Sequence, residues 1–176
     1  MNEALGEIGQ SRWTAPLLNL LLDRDGARFA EMLVQLGISR DSLVRTLARL
    51  IEHGWVMRNP GYGHPLRPEY LLTAQGRDTA LLCRGITEAC ARLDLAAHSL
   101  PRWSLPILTT LEGGWTRFSV LKKELAPVTP RALSLNLKFM MEERLVARRE
   151  EDLPAPAVCY GLALRGRRFT SYLHPR

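Results

Sequence analysis

One pattern of residues is written twice in this chain, and this internal repeat limits the fold more than any other feature. The segment RWTAPLL at 12–18 recurs as RWSLPIL at 102–108, an offset of 90 positions. The pair RF at 28–29 returns at 117–118, and one inserted residue near Pro127 then restores the offset of 90. Further matches follow in the same order: Ser39 with Thr129, Leu43 with Leu133, Leu47 with Leu137, Leu50 with Met140, Tyr70 with Tyr160, and Gly76 with Gly166. Composition alone does not produce ordered matches over about 70 residues, so we interpret the chain as two tandem copies of one unit.

The central helix of the first copy is predicted over residues 39–53. Its apolar residues recur at the 3–4 spacing of one buried helix face: Leu43, Leu47, Leu50 and Ile51. Ser39 is suited to cap the start of this helix, and Gly54 can end it in the left-handed conformation that helix termini often need. An apolar segment at 28–36 precedes it across a short corner, which predicts a helix-turn-helix.

The hairpin that follows completes the predicted unit. Residues 55–58 are typical of a short strand, residues 59–68 of a turn-rich loop, and residues 69–72 of a return strand. The fold class is therefore mainly α with small β-hairpins, as two tandem winged helix-turn-helix domains joined by a helix. The predicted division is an N-terminal extension (1–11), winged-helix domain 1 (12–76), a connecting helix (77–101) and winged-helix domain 2 (102–176).

The net charge of the chain and the absence of known catalytic motifs limit the classes of function that we expect. The formal net charge of +6 and the isoelectric point near 9.7 favour a polyanionic partner such as nucleic acid. There is no glycine-rich phosphate loop, nucleophile elbow or metal-spaced His/Cys cluster, so we expect neither an enzyme nor a cofactor. Three cysteines without a CxxC pair argue against a disulfide framework or a zinc site, and are most simply buried apolar residues; a redox switch is the minor alternative.

The sequence gives no indication of membrane insertion. The first residues lack the apolar core of a signal peptide, and no run approaches the roughly 18 apolar residues that a membrane span needs. We expect a cytoplasmic protein without a membrane partner.

Basic and hydroxyl side chains make the first copy a candidate DNA reader. Arg45 and Arg49 lie on one face, opposite the leucines, where arginine can make bidentate contacts to guanine, whereas Arg40 lies nearer the core side and is expected on phosphate. The full set of candidate DNA contacts in this copy, including the wing, is Ser39, Arg40, Ser42, Arg45, Thr46, Arg49, Arg58, His64 and Arg67. The alternative interpretation is a solvated helix face with a few arginines.

The second copy has a different outer face. Leu135 stands in place of Arg45 and Phe139 in place of Arg49, while its basic groups move sideways to Arg131 and Lys138, which are the candidate DNA contacts of this copy. Residues 102–173 have twelve Lys/Arg against seven Asp/Glu, more than the nine against seven of residues 12–82, yet their wing carries the acidic run at 150–152. Recognition of a DNA groove depends more on where the charges lie than on how many there are. We therefore expect the second copy to be a degenerate reader, in which Leu135 and Phe139 contact a partner protein or a second copy of the chain.

Two tryptophans without matching positions in the repeat are candidate ligand contacts. Trp55 and Trp115 could line a pocket between the two units for an apolar small-molecule effector. Core packing is the default alternative for such residues.

Taken together, residues 12–80 resemble the HxlR-type family of bacterial winged-helix transcription regulators, which are similar to MarR-type proteins. The matching segments are RWT at 12–14, RFAEML at 28–33, the helix from Ser39, EHGWVMR at 52–58 and PEYLLTAQG at 68–76, and residues 102–173 match more loosely.

The resemblance implies sequence-specific binding of double-stranded DNA, usually by a homodimer. Two departures matter: the family's frequent cysteine ahead of the tryptophan helix is missing, which argues against thiol sensing, and the family usually has one such domain per chain. The competing hypothesis is a ligand- or protein-binding module that has lost specific DNA recognition.

Overall fold

The computed structural model describes residues 2–59, 69–95, 100–151 and 156–173, which form two compact units. One unit comprises residues 11–87, and the other combines residues 1–10 with residues 88–176. We call them the first and the second unit. Among the helices described, none combines the length and the apolar character that a membrane span requires.

The first unit is a three-helix core with a small antiparallel sheet. The chain runs through α1 (Asn2–Ile8), which belongs to the second unit, and then α2 (Thr14–Arg24), β1 (Ala27–Arg28), α3 (Phe29–Leu36), α4 (Arg40–Glu52), β2 (Val56–Asn59), β3 (Glu69–Leu72) and α5 (Ala74–Arg92). The strand order is β1-β3-β2, and β2 and β3 pair antiparallel with Val56 opposite Leu72. This is the winged helix-turn-helix predicted from the sequence.

The second unit repeats this architecture. Its elements are α6 (Ser104–Thr110), a 3₁₀ turn (Leu111–Gly113), β4 (Thr116–Arg117), α7 (Phe118–Glu124), α8 (Pro130–Glu142), β5 (Val146–Glu151), β6 (Ala157–Leu162) and α9 (Leu164–Ser171). The strand order, β4-β6-β5, is equivalent to that of the first unit. The fold class of two tandem winged-helix units, mainly α with small β-sheets, is therefore confirmed.

Each sheet has a strand that the sequence pattern did not predict. The two-residue strands β1 and β4 pair with the return strands, with Ala27 opposite Tyr70 and Thr116 opposite Tyr160. Each turns the expected hairpin into a three-stranded sheet and ties the start of the next helix to the wing.

The buried face of α4 is built from Leu43, Thr46, Leu47 and Leu50, which are at most 4% exposed. The prediction that Ile51 belongs to this face is wrong, because Ile51 is 42% exposed. Helical geometry places positions 46 and 51 on opposite sides of the stripe formed by Leu43, Leu47 and Leu50, each about 70° from its centre, so periodicity does not decide which of the two is buried. The equivalent residues on α8 are also buried: Leu133, Asn136, Leu137 and Met140.

Both central helices begin with the predicted cap. The Ser39 hydroxyl accepts a hydrogen bond from the backbone N–H of Ser42 at 3.4 Å, and Thr129 accepts one from Ala132 at 3.2 Å. After the helices, Gly54 adopts the expected left-handed conformation with φ 69°, and Arg144 occupies the equivalent position with φ 56°. The same turn is thus made with glycine in one unit and with arginine in the other.

Beside the edge strand of each sheet, the two units fill equivalent space with a large and a small residue in opposite positions. In the first unit Gly26 lies against the side chain of Leu71. In the second unit the equivalent positions hold Trp115 and Gly161, and a Cβ on this glycine would come within 2.7 Å of the indole ring. The large and the small residue have exchanged strands, so the space is filled in both.

The first helix of the chain completes the second unit. Leu5 and Ile8 of α1 are 0% and 4% exposed, and α1 packs against α6. Gly9 lies so close to the backbone carbonyl of Arg102 that a side chain would not fit. Residues 1–10 are therefore part of the core of a unit that lies almost 80 residues further along the chain.

Candidate nucleic-acid interface

The exposed face of α4 carries the predicted arginines. Arg45 is exposed and makes no hydrogen bond or ion pair with any described residue, so its guanidinium group is available to a ligand. Arg49, one turn further along, is partly buried. Ser42 is also partly buried, and its hydroxyl oxygen accepts a hydrogen bond from the Ser39 hydroxyl at 2.9 Å.

Arg40 is fixed at the start of the helix by an aromatic ring. Its guanidinium carbon lies 5.6 Å from the centre of the Phe29 ring, within the range of a cation–π contact. The residue is exposed and lies on the side of α4 that faces α3, as the helical geometry predicts.

Thr46 does not belong to the exposed face. Its side chain is 4% exposed, and its hydroxyl donates a hydrogen bond to the Ser42 carbonyl oxygen one turn earlier at 2.7 Å. Asn136 at the equivalent position of α8 donates in the same way to Ala132 at 2.8 Å. The Thr46 hydroxyl is thus bonded within its own helix, and we remove Thr46 from the set of candidate DNA contacts for this reason.

The described part of the wing contributes one candidate cation. Arg58 is exposed on β2, where it pairs with Tyr70 of β3. The other two predicted wing contacts, His64 and Arg67, lie outside the described residues.

The outer face of α8 is apolar at the two positions that hold arginine on α4. Leu135 is 58% exposed, and Phe139 is partly buried. The displaced cations Arg131 and Lys138 are both exposed, and Lys138 Nζ lies 4.0 Å from the Glu142 carboxylate. Exposed and buried positions alternate almost identically along α4 and α8, so the difference between the faces is one of chemistry and not of orientation.

The two candidate pocket tryptophans have different surroundings. Trp55 is 4% exposed, and its ring stacks on that of His53 with 5.1 Å between centroids. It fills the same place as the fully buried Leu145, so the prediction that Trp55 lines a ligand pocket is wrong. Trp115 is 37% exposed and borders a surface pocket of about 420 Å³, with the Arg149 guanidinium 4.2 Å from its ring centre.

The cysteines have the buried positions that the sequence favoured. Cys83, Cys90 and Cys159 are not joined by disulfides and are at most 3% exposed. Burial raises the pKa of the Cys83 thiol from 9.0 to about 12 and that of Cys90 to about 11. Within the described residues, no cluster of His, Cys, Asp and Glu could hold a metal ion.

A group of arginines in the second unit was missed at the level of sequence. Arg92, Arg144, Arg165 and Arg168 line a surface pocket of about 550 Å³ near the start of α9. The repeat contained a signal for three of them, because the equivalent positions of the first copy are Gly54, Gln75 and Asp78. These positions lie outside the central helices and the wings, where the contrast between the copies is easiest to recognise.

Comparison with solved structures gives partial alignments to regulators. A MarR-family transcriptional regulator from Enterococcus faecalis V583 is 26% identical over 51% of this chain and 76% of its own, with a TM-score of 0.41. The HTH-type regulator ytcD is 28% identical over 38% of this chain and 68% of its own, with a TM-score of 0.36. A cysteine-to-serine mutant of MarR from E. coli, complexed with operator DNA, is 23% identical over 70% of this chain and 81% of its own, with a TM-score of 0.44. No curated protein sequence matches the chain significantly.

The family comparison covers both copies of the repeat. A model described as HxlR-like helix-turn-helix matches residues 8–90 and again residues 100–175. The resemblance inferred from the residues is thereby confirmed, as is its occurrence in tandem. Because the two matches together span most of the sequence, the chain belongs to the HxlR-like helix-turn-helix family.

Proposed function

We propose that the protein is a sequence-specific transcription regulator in which α4 of the first unit enters the major groove of its operator. The family and the fold support a DNA-binding regulator in general. The finer assignment depends on the composition of the outer face of α4. The groove of B-DNA is about 12 Å wide and admits a single α-helix presented in this way.

The observation that carries the proposal is the exposure of Arg45. This residue is exposed at the middle of α4 and has no partner among the described residues. Arginine is the side chain that most often contacts guanine specifically, through two parallel hydrogen bonds to O6 and N7. Arg49 follows on the next turn of the same face and provides a second candidate base contact.

Groups around this helix would hold the backbone of the operator. Ser39, Arg40 and Ser42 lie at the start of α4, and Arg58 lies at the base of the wing. Contacts of these groups to phosphate fix the register of a protein on DNA without selecting bases. We extend the same role to His64 and Arg67 on sequence grounds alone.

The second unit would contribute contacts of a different kind. Leu135 and Phe139 form an apolar outer face on α8, and we assign it to a protein partner, with a second copy of the chain as the first candidate. Arg131 and Lys138 flank this face, where they could still contact phosphate. An apolar effector at Trp115 belongs to the same proposal.

The test is a selection of bound fragments from genomic DNA, followed by titration of the selected site with wild type and variants. Arg45→Ala should weaken the specific site about 5- to 150-fold, corresponding to roughly 1–3 kcal/mol, and relax one base preference. Arg24→Ala removes the same charge from the end of α2, and should change the affinity much less. Leu135→Ala changes the equivalent position on α8, and should leave the base preference intact.

The apolar face of α8 favours one alternative, a module that binds ligand or protein and has lost specific DNA recognition. In that case all DNA sequences would bind equally and with a steep salt dependence, and Arg45→Ala would behave like Arg24→Ala. Light scattering of wild type and Leu135→Asp tests the partner surface separately, because a homodimer through this face should dissociate in the variant.

A further inference from the structure

The arginine pocket of the second unit is built from three segments of chain. The end of α5 contributes Arg92, Leu93 and Asp94, the turn after α8 contributes Arg144, and the start of α9 contributes Ala163, Leu164, Arg165 and Arg168. Its volume of about 550 Å³ lies in the range of pockets that hold small molecules. None of these residues lies on the outer face of α8.

Two of the four arginines are tethered and two are not. Arg165 donates hydrogen bonds to the backbone carbonyls of Glu143, at 3.0 Å, and of Leu93, and its Nη1 lies 3.7 Å from the Glu143 carboxylate. Arg92 lies over the ring of Tyr172 at 5.7 Å. The side chains of Arg144 and Arg168 make no hydrogen bond or ion pair to any residue that the structure describes. Arg144 and Arg168 are therefore exposed lining residues whose guanidinium groups are available to a ligand, beside the tethered Arg92 and Arg165.

In the first unit the same turn and helix form without arginine at three of these positions. In the first unit the positions of Arg144, Arg165 and Arg168 are occupied by Gly54, Gln75 and Asp78, and the same turn and helix form. These three positions carry three positive charges in the second copy and one negative charge, that of Asp78, in the first copy. Arg144 even adopts a left-handed conformation with φ 56°, which glycine adopts at lower cost. For Arg144 and Arg168, which make no hydrogen bond or ion pair with any described residue, the fold gives no reason for arginine.

The pocket also has an apolar side. Leu164 is 69% exposed at its rim, and Leu93 and Ala163 are partly exposed beside it. Guanidinium groups bind carboxylate and phosphate oxygens in a planar, bidentate arrangement. An anion that also carries an apolar body would satisfy both sides of the pocket, whereas a neutral molecule would leave the cations without partners.

We propose that this pocket is a binding site for a small organic anion, a carboxylate or a phosphate ester with an apolar body. Arg144 and Arg168 pair with the charged group, and Leu164 contacts the apolar part. The site is separate from the proposed DNA-binding helix, so its existence does not depend on that assignment.

Calorimetric titration of the full chain tests this inference with benzoate, phenyl phosphate, inorganic phosphate and the neutral analogue benzamide. We expect saturable binding of benzoate or phenyl phosphate, weaker binding of inorganic phosphate, and none of benzamide. Arg144→Gly restores the residue of the first copy, so it should fold at least as stably while binding the organic anion at least tenfold more weakly. Arg168→Gln should show a similar loss.

The matched control is Arg167→Gln, which removes the same charge from the neighbouring position of α9, where the side chain borders the Trp115 pocket. Its affinity for the organic anion should remain within about twofold of wild type. The proposal is overturned if no organic anion saturates, if Arg144→Gly and Arg168→Gln bind like wild type, or if Arg167→Gln loses as much. The proposal would also be overturned if inorganic phosphate bound as tightly as phenyl phosphate. The same holds if Arg144→Gly and Arg168→Gln lowered only the affinity for duplex DNA.

Discussion

At the scale of single residues, burial decides what the thiols of α5 can do. A cysteine reacts as its thiolate, and the pKa of about 12 for Cys83 leaves almost none of that form at neutral pH. The folded state therefore protects this thiol from oxidation and alkylation.

The raised pKa of Cys83 predicts a loss of stability in alkali. Well below pH 9.0 the thiol is protonated in both states, so its contribution to stability is constant there. Between pH 9.0 and about 12 the unfolded chain releases this proton while the folded chain retains it, so the free energy of unfolding falls as the pH rises. At pH 10.5 the loss should be on the order of 2 kcal/mol relative to pH 8, measured by urea unfolding. Cys83→Ala should remove that part of the slope; an unchanged slope would contradict the assignment.

Residue periodicity predicted most of the buried face of α4 but could not fix its exact phase. Leu43, Leu47 and Leu50 are buried as expected, whereas Thr46 and Ile51 have exchanged the predicted environments. A threonine can be buried in a helix because its hydroxyl bonds to the preceding turn, and hydropathy does not register this. Trp55 was misassigned for a related reason, since sequence does not distinguish a tryptophan in the core from one in a pocket.

At the scale of elements, the exchange of a large and a small residue between neighbouring strands shows how the two copies have diverged. Gly26 with Leu71 and Trp115 with Gly161 fill equivalent space. The sequence showed that the tryptophan lacked a counterpart, but its partner became evident only when β4 and β6 were placed side by side. Strands of two residues such as β4 are too short to carry a hydrophobic pattern of their own.

This exchange predicts energetic coupling between the two positions. Gly161→Leu alone should destabilise the second unit by about 1–3 kcal/mol, because the new side chain meets the indole of Trp115. Adding Trp115→Gly, which recreates the arrangement of the first unit, should cost less than the sum of the single changes by at least about 0.5 kcal/mol. Urea unfolding of the four proteins gives the coupling directly. Additive effects would mean that the two residues do not share this space.

At the scale of the whole molecule, the units do not follow the order of the chain. Domain limits drawn from the repeat placed residues 1–11 in an extension, because this segment has no second copy from which to infer its partner. In the structure, α1 packs on α6 and buries Leu5 and Ile8 in the second unit. Nothing in the sequence of this segment specified which unit it would join.

Truncation of Leu5 should therefore weaken the distant unit and not the adjacent one. Leu5→Ala removes a fully buried side chain and should cost the second unit about 2–5 kcal/mol. Hydrogen exchange followed by mass spectrometry should show faster exchange in α6 and α8 than in wild type, with α4 little changed. Leu17→Ala, at an equally buried position of α2, should produce the reverse pattern. Faster exchange confined to α4 in the Leu5 variant would contradict the unit assignment.

The placement of α1 also imposes an order on assembly during translation. The helix leaves the ribosome roughly a hundred residues before α6, which at about 5–20 residues per second is a delay of several seconds or more. Throughout that interval Leu5 and Ile8 have no core to enter, while all of the first unit is made. The nascent chain therefore carries an apolar segment that a ribosome-associated chaperone could hold, and it is released only when the second winged helix appears.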